Sequence, residues 1–380
     1  MVVAMKILFL SFGLSAKINN GGAVVSKNNL KLLSSLPGIE LTVFSLSRGN
    51  NNESDSTIIH IPCTKNKIET FFLLFKGYSG YFTPDAEKII IEHIKSERYD
   101  LLFLDGSHYG RLARKIKQKK LAVKIVVFFH NVELKYSFMR IKLQGLQYLF
   151  YLPPVYYNET CSMRYADVKI AINDRDKKQL EKIYRKKING ICSTVWFDDE
   201  IFLENNPAMN NIPITVPLNI LFLGSYFTAN VAGIKWFINN VLPLVNVFLI
   251  VAGKGMENLK ETYKNFPKIK IIGYVNDVDD LYRNADCVVN PVFDGSGMKV
   301  KTGEALHYGK TVIGTPEAFT GYNIRHGVEG YICKTTDEFV QSLEIVAATQ
   351  KYKTNNASLE WARLNLSKDI QLEKLYTLIC

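Results

Sequence analysis

The stretch that decides the fold reads Asn290-Pro-Val-Phe-Asp-Gly-Ser-Gly-Met-Lys-Val-Lys-Thr-Gly-Glu304-Ala-Leu-His-Tyr-Gly-Lys-Thr-Val-Ile-Gly314. Apolar residues from Cys287 to Asn290 predict a buried strand. Gly295-Ser296-Gly297 predicts a loop, a helix is expected from near Met298, and Gly309 ends that helix before the next strand. This order of strand, loop, helix and strand is typical of a parallel α/β sheet.

The loop and the helix that follows it carry groups that suit a phosphorylated ligand. The backbone N–H groups of a glycine loop and the dipole of a helix N-terminus both favour an anion. Lys299 and Lys301 add positive charge, and the carboxylate of Glu304 suits a diol such as a ribose. A Gly-Ser-Gly tripeptide alone usually marks a plain turn. The complete arrangement therefore indicates a sugar-nucleotide pocket.

Predicted strands and helices alternate along the rest of the chain. Many of the strands are continuous apolar runs, which is expected when helices cover both faces of a parallel sheet. The strands are predicted at 6–12, 41–45, 101–104, 124–129, 168–172, 219–223, 247–252, 269–272, 287–290 and 311–313, and the clearest helices at 26–36, 84–96, 176–185 and 232–239.

The Asn- and Pro-rich segment 206–217 predicts a linker between two domains. We therefore expect an acceptor-side Rossmann-like domain at 1–205 and a nucleotide-binding Rossmann-like domain at 218–357. The segment 358–380 is expected to be a helix that packs back toward the first domain. Two doubly wound sheets would face a central cleft at the carboxyl ends of their strands, where such folds bind ligands.

The composition is that of a globular protein, with 380 residues, 47% of them hydrophobic and 22% charged. Residues 1–205 hold 30 Lys and Arg against 20 Asp and Glu, whereas the remainder holds 17 against 16. Basic clusters attract anionic lipid or nucleic acid, or they are solvated helix faces. The chain has no zinc spacing, RNP motif or KH loop, so we expect no nucleic-acid partner.

Two aromatic segments, Phe71–Lys76 and Tyr148–Leu152, lie in the basic half. They are either core helices or a site of peripheral contact with an anionic membrane. The six cysteines are scattered without a CxxC pair, which favours reduced thiols in the cytoplasm. The expected location is therefore the cytoplasm, with peripheral contact on the inner face of the membrane. No metal site is evident, and no cofactor is expected.

Several motifs occur in an order that resembles one family. They are Leu221-Phe-Leu-Gly-Ser225, Leu249-Ile-Val-Ala-Gly-Lys-Gly255, Ile272-Gly-Tyr-Val-Asn-Asp277, Leu281-Tyr-Arg-Asn-Ala-Asp286 and the glycine-loop segment through Gly309. The chain resembles a retaining GT-B glycosyltransferase of the GT4 group, in the branch whose loop reads Gly-Ser-Gly-x-Lys-x-Lys. The resemblance implies two Rossmann-like domains.

The resemblance also implies roles for individual residues. The glycine loop would meet the donor diphosphate, Glu304 would hold the ribose, and His130 would face the transferred sugar. Catalytic roles are implied for His130, Glu304 and Lys235. Donor binding is implied for Gly21, Gly22, Gly224, Lys235, Tyr274, Val275, Gly295, Ser296, Gly297, Lys299, Lys301 and Glu304. Asp105 and His108, which follow a predicted strand, and Glu133 are candidates for the acceptor side.

This chain departs from the family pattern in three places, one of which is Val195-Trp-Phe-Asp198, where relatives often read Asn-Gly-Val-Asp. Many relatives carry a further glutamate before the one that holds the ribose, and Ser296 stands at that position here. Where many relatives have an arginine after the first glycine of the second domain, this chain has Ser225. Lys299 or Lys301 would then supply the missing positive charge.

The resemblance implies a hexosyltransferase that moves a sugar from a nucleoside diphosphate sugar, with UDP as the expected nucleotide. The acceptor is expected to be a glycan or lipid-linked glycan, the anomeric configuration is retained, and the role lies in bacterial surface polysaccharide assembly. Two alternatives stay open. One is a nucleotide-sugar epimerase of the same fold, and the other is a non-catalytic sugar-nucleotide-binding subunit of a transferase complex.

Overall fold

The computed structural model describes residues 5–12, 14, 21–47, 57–64, 66–193, 195–198 and 212–380. Two compact units make up the chain. The first unit comprises Met1–Thr194 with Gln371–Cys380, and the second comprises Val195–Ile370. Of the linker predicted at 206–217, residues 206–211 lie outside the described part of the chain.

The first unit contains a seven-stranded sheet in which every neighbouring pair of strands is parallel. Its strands are β1 (Met5–Phe12), β2 (Ile39–Ser47), β3 (Ile58–Pro62), β4 (Leu101–Leu104), β5 (Lys124–Phe129), β6 (Val168–Ala171) and β7 (Gly190–Ile191). Their order in the sheet is β3-β2-β1-β4-β5-β6-β7. The central strands are buried along their length, because helices cover the sheet.

The helices of the first unit lie between these strands in the sequence. They are α1 (Gly21–Ser34), α2 (Lys67–Phe75), α3 (Pro84–Glu97), α4 (Gly110–Gln118), α5 (Glu133–Gln144), α6 (Leu152–Tyr165) and α7 (Asp174–Tyr184). Three of them begin at a polar cap whose side chain accepts a hydrogen bond from the first helical turn: Asn66 in α2, Thr83 in α3 and Asn173 in α7.

The second unit contains a six-stranded parallel sheet in the order β10-β9-β8-β11-β12-β13. The strands are β8 (Leu218–Leu223), β9 (Val247–Ala252), β10 (Ile269–Ile271), β11 (Cys287–Asn290), β12 (Val312–Gly314) and β13 (Gly330–Ile332). The helices are α8 (Thr228–Asn240), α9 (Lys260–Tyr263), α10 (Asp279–Asn284), α11 (Val300–His307), α12 (Thr336–Thr349) and α13 (Asn356–Leu366).

A further helix, α14 (Lys368–Ile379), begins in the second unit and supplies its later residues to the first. Each unit has its own apolar core, with Phe129 and Leu104 in the first and Phe222 and Phe237 in the second. Two parallel-sheet α/β units confirm the predicted fold class. Among the described residues, no helix combines the length and the apolar character needed to span a bilayer.

Candidate functional site

The predicted glycine loop connects β11 to α11 in the second unit. Gly297 has φ of +63°, in the left-handed region that glycine adopts without strain. A Cβ atom on Gly295 would lie 2.7 Å from Nζ of Lys299. The helix begins at Val300 rather than near Met298, because Lys299 still has an extended backbone. The prediction of the helix start was therefore wrong by two residues.

Lys299 folds back onto this loop. Its Nζ atom forms an ion pair with Oε1 of Glu317 at 2.7 Å and lies 3.4 Å from the carbonyl oxygens of Ser296 and Gly297. The ammonium group therefore holds the loop in shape, and Glu317 offsets part of its charge. A diphosphate ligand that contacts Lys299 would therefore compete with the carboxylate of Glu317 for its ammonium group.

Lys301 lies at the carboxyl end of β8. Its Nζ atom donates a hydrogen bond to Oδ1 of Asn230 at 2.8 Å and lies 4.3 Å from the ring centre of Phe222. A Cβ atom on Gly224 would come within 3.3 Å of this nitrogen. Burial, and then the positive charge of Lys299, lower the pKa of Lys301 to about 7. A bound anion would favour the protonated, charged form of Lys301.

Glu304 lies one helical turn after Lys301. Its Oε2 atom accepts a hydrogen bond from the hydroxyl of Tyr282 at 3.1 Å, and the Tyr282 ring stacks on Tyr308 with centres 4.6 Å apart. Burial raises the pKa of Glu304, against the opposing effects of the Tyr282 hydrogen bond and the charge of Lys301. The carboxylate is therefore held by a tyrosine and keeps acceptor capacity for a ligand hydroxyl.

Three neighbouring strands end at glycines that lie against one another. The N–H of Gly224 donates to the carbonyl of Ala252, and the N–H of Gly253 donates to the carbonyl of Gly273. A Cβ atom on Gly253 would lie 2.1 Å from the carbonyl oxygen of Gly224. Side chains are thus excluded from this edge of the sheet, and Tyr274 follows it directly.

The other donor-side candidates lie on several different elements. Tyr274 is 63% exposed, and Val275 beside it is partly buried. Lys235 lies partly buried on α8, two residues after Gly233. Gly21 begins α1 in the first unit and Gly22 follows it. The structure therefore brings the glycine loop, Gly224, Lys301 and Glu304 together, whereas Gly21 and Gly22 belong to the other unit.

In the first unit, Asp105 lies directly after β4 and is fully buried. It accepts hydrogen bonds from Oγ of Ser11 at 2.6 Å, Nδ2 of Asn29 at 2.7 Å and Nε2 of His130 at 2.7 Å. Burial alone would raise the pKa of Asp105, but the charge of His130 and the hydrogen bonds from His130 and Ser11 outweigh it and lower the pKa. Asp105 thus fixes the orientation of His130, which follows β5.

A second histidine–carboxylate pair lies beside the first. Nε2 of His108 is 3.4 Å from Oε1 of Glu133, and its Nδ1 is 3.3 Å from Oγ of Ser79. Burial would lower the pKa of His108, but the charge of Glu133 outweighs it and raises the pKa. Burial would raise the pKa of Glu133, but the charge of His108 outweighs it and lowers the pKa. The charge of His130 also lowers the pKa of Glu133, so the four acceptor-side and catalytic candidates of this unit form one cluster.

Glu159 was not singled out by its sequence position. Its carboxylate accepts hydrogen bonds from the N–H of Glu133 at 2.8 Å and of Leu134 at 3.1 Å, and from the hydroxyl of Tyr184 at 2.5 Å. Burial raises the pKa of Glu159 to about 7. It fixes the start of α5, and hence Glu133. No sequence pattern indicates that Glu159, in the middle of α6, contacts the start of α5. In the same way, no sequence pattern indicates that Tyr282 donates a hydrogen bond to Glu304.

Comparisons with known proteins agree with this architecture. Residues 217–348 match the family model described as "Glycosyl transferases group 1". An "Uncharacterized 44.6 kDa protein in cps region" of Klebsiella pneumoniae is 25% identical over 167 residues, which are 40% of this chain. The match spans only 42% of the relative's own length.

Solved structures of similar fold cover nearly the whole chain. Sucrose-phosphate synthase from Thermosynechococcus elongatus has a TM-score of 0.73 and 13% identity, with 98% of each chain covered. HepE from Anabaena, solved with UDP and glucose, has a TM-score of 0.68 and 14% identity, with 98% of each chain covered. Likeness at this identity shows the fold, which is GT-B.

Proposed function

We propose that this chain, which has the GT-B fold and carries a glycosyl transferases group 1 domain at 217–348, is a hexosyltransferase of the GT4 group. It moves a sugar from a UDP-sugar to a glycan or lipid-linked glycan, and the anomeric configuration is retained. We place it in the cytoplasm, at the inner face of the membrane, in bacterial surface polysaccharide assembly. The similar HepE structure, which holds UDP and glucose, and the relative named for a cps region support this choice.

The observation that carries the proposal is the glycine loop and α11, with Lys301 and Glu304 one turn apart. When a nucleoside diphosphate leaves, negative charge gathers on it. Fixed N–H dipoles and a buried ammonium group stabilise that charge more in the transition state than in the ground state. Glu304 accepts hydrogen bonds from the ribose hydroxyls, and the exposed ring of Tyr274, with Val275, packs against the base.

In this mechanism the protein itself neutralises the leaving group. Lys235 and Lys301 contact the diphosphate, and Lys299 keeps the loop in shape while its charge adds to theirs. The reaction then needs no metal. The acceptor hydroxyl attacks the anomeric carbon from the same face that the diphosphate leaves, and a diphosphate oxygen takes the proton of that hydroxyl. Because attack and departure occur on one face, the anomeric configuration is retained. His130, held by Asp105 at 2.7 Å, orients a hydroxyl of the transferred sugar.

A donor screen tests the proposal. UDP-, GDP-, ADP- and dTDP-sugars are assayed for nucleoside diphosphate release, with and without a membrane lipid extract and with and without EDTA. Glu304→Ala is compared with Glu344→Ala, a control on the exposed face of α12. We expect release from UDP-sugars only, stimulated by the extract, unchanged by EDTA, and reduced at least about a hundredfold in Glu304→Ala alone. The anomeric proton coupling of the product reports retention.

Three other outcomes would contradict the proposal. Tight UDP binding without turnover of any donor would indicate a non-catalytic subunit. A changed sugar without UDP release would indicate an epimerase. Loss of activity with EDTA, restored by a divalent cation, would contradict the metal-independent mechanism.

A further inference from the structure

One face of α2 exposes large apolar side chains. Ile68 is 69%, Phe72 62% and Phe75 68% exposed. The opposite face of the helix carries the buried residues Thr70, Leu73 and Leu74, which pack into the unit. Folding of the first unit therefore does not account for the exposed face, and clustered exposed apolar surface usually marks an interaction site.

Aromatic contacts join this face to the six-residue 3₁₀-helical turn at Leu146–Tyr151, which has no buried residue. The ring centres of Phe71 and Phe75 are 5.2 Å apart, those of Phe71 and Phe150 are 5.6 Å apart, and those of Phe75 and Phe150 are 6.5 Å apart. Leu146 and Leu149 are exposed on the same turn. We call the combined surface the aromatic patch, which consists of Ile68, Phe71, Phe72, Phe75, Leu146, Leu149 and Phe150.

Basic side chains belong to the elements that carry or support the patch. Lys67 and Lys76 are exposed at the two ends of α2. Helix α5, which precedes the turn, carries exposed Lys135 and Lys142, and the guanidinium of Arg140 lies 4.1 Å from the ring centre of Tyr148. The acidic side chains of these elements are Glu69, in the first turn of α2, and Glu133, which is paired with His108. The surroundings of the patch are therefore positive.

We propose that the aromatic patch docks the first unit on a bilayer that contains anionic phospholipid. Phe, Leu and Ile side chains enter the boundary between headgroups and acyl chains, while lysines around them meet lipid phosphates. A second copy of this chain fits less well, because a symmetric contact would bring the two positive rims together. This deepens the proposed function by giving the surface that brings a lipid-linked acceptor within reach, although docking itself needs no donor.

Vesicle flotation of the full chain tests the proposal. Vesicles of phosphatidylcholine alone are compared with vesicles in which about one third of the lipid is phosphatidylglycerol. We expect binding to the anionic vesicles only. Phe72→Ser/Phe75→Ser and Lys67→Gln/Lys76→Gln should each lower that binding by at least about tenfold. Phe248→Ser, at a 43% exposed position of the second unit, is the matched control and should bind like the wild type.

Circular dichroism and the unfolding temperature confirm that each variant is folded. If Phe72→Ser/Phe75→Ser fails to fold, Ile68→Ser/Leu146→Ser, at the two most exposed patch positions, replaces it. Absence of binding to any vesicle, equal binding to both kinds, or full binding by the folded patch variant overturns the proposal. A dimer that the patch variant converts to a monomer, without vesicle binding, would indicate a second copy as the occupant. UDP binding, measured without lipid, separates these results from failure of the proposed function.

Discussion

Lys301 and Glu304 illustrate how a site residue's neighbours set its charge. Burial lowers the pKa of Lys301 to about 7 and raises that of Glu304. The two side chains do not form an ion pair, since Lys301 bonds Asn230 and Glu304 bonds Tyr282. A bound diphosphate would favour the charged form of Lys301, so its pKa would rise on binding.

Binding of UDP should therefore depend on pH. Below pH 7 Lys301 is charged before UDP binds, whereas above pH 7 it must take up a proton on binding. We expect the Kd to rise by up to about tenfold per pH unit between pH 7 and 9. Isothermal titration in two buffers of different ionisation enthalpy measures the proton uptake. Lys301→Met should bind more weakly and lose the dependence, and if it keeps the same slope the assignment to Lys301 is wrong.

Asp105 is expected to matter for stability as well as for activity. Asp105→Ala would leave the buried donors of Ser11, Asn29 and His130 without their acceptor, at a cost of about 3 kcal/mol of unfolding free energy. Denaturant unfolding measures this against Glu92→Ala, an exposed control on α3. Because folding lowers the pKa of Asp105, its contribution is present above the ordinary pKa of Asp and is lost as the pH falls through the lowered value. Equal stability of the two variants would contradict this role.

Single residues of the second unit could be predicted only in part. The sequence predicted that Lys301 and Glu304 lie near each other, because residues three apart on a helix are neighbours. It did not predict that Glu317 pairs with Lys299, because Glu317 lies 18 residues later in the chain. Asp105 and His130 were singled out separately, but only the neighbouring positions of β4 and β5 in the sheet join them.

At the scale of elements, close packing of α8 against the loop after β11 depends on a glycine. A Cβ atom on Gly233 would lie 2.2 Å from the carbonyl oxygen of Pro291, which is backbone and cannot move aside cheaply. Helix α8 therefore lies as near to the strand end as two backbones allow. This contact positions Lys235, which is two residues further along the helix.

Gly233→Ala should lower the stability of the protein, although replacing glycine with alanine in a helix usually raises it. Alanine in a helix is favoured over glycine by about 1 kcal/mol, but here the clash should destabilise the protein by about 2 kcal/mol. Asn239→Ala, at an exposed position of the same helix, is the control and should be neutral or slightly stabilising. The unfolding temperatures of the two variants, compared with that of the wild type, measure these effects. A higher unfolding temperature for Gly233→Ala would show that the packing is looser than described.

Elements buried in the sheets were the ones that the sequence predicted. β4, β5, β9 and β11 were predicted with the ends that the structure has, because continuous apolar runs mark strands covered on both faces. β3 at the sheet edge was missed, since only Ile61 of its five residues is buried. β7 was missed because two residues are too few for a pattern, and β13 because the one buried residue of its three is Gly330, which has no side chain.

At the scale of the whole molecule, each unit has its own sheet and its own apolar core. The alternation of strands and helices was enough to predict two α/β units. The sequence also predicts that 358–380 forms a helix that packs back toward the first domain. The structure has two helices there, α13 and α14, and only residues 371–380 belong to the first unit.

A nucleotide should stabilise the second unit in particular. At a UDP concentration about 100 times Kd, the free energy of unfolding of the unit that binds it rises by about 2.7 kcal/mol. We expect the unfolding temperature of that transition to rise by about 5–10 °C. Hydrogen exchange should show protection concentrated at 295–308 and little change at 101–133. Protection confined to the first unit would contradict the proposed nucleotide site.

The return of α14 to the first unit has a consequence for protein synthesis. Ser193 N–H donates to Oε1 of Gln371 at 3.0 Å, Nζ of Lys124 donates to the carbonyl of Ile379 at 2.7 Å, and Leu375 is buried. The ribosome releases these partners only after it has made the whole second unit. During that interval Gly190 and Cys192, at the β7 edge of the first unit's sheet, lack the contacts that Leu378 and Gln371 give them in the finished protein, and it is there that a chaperone would find its binding surface.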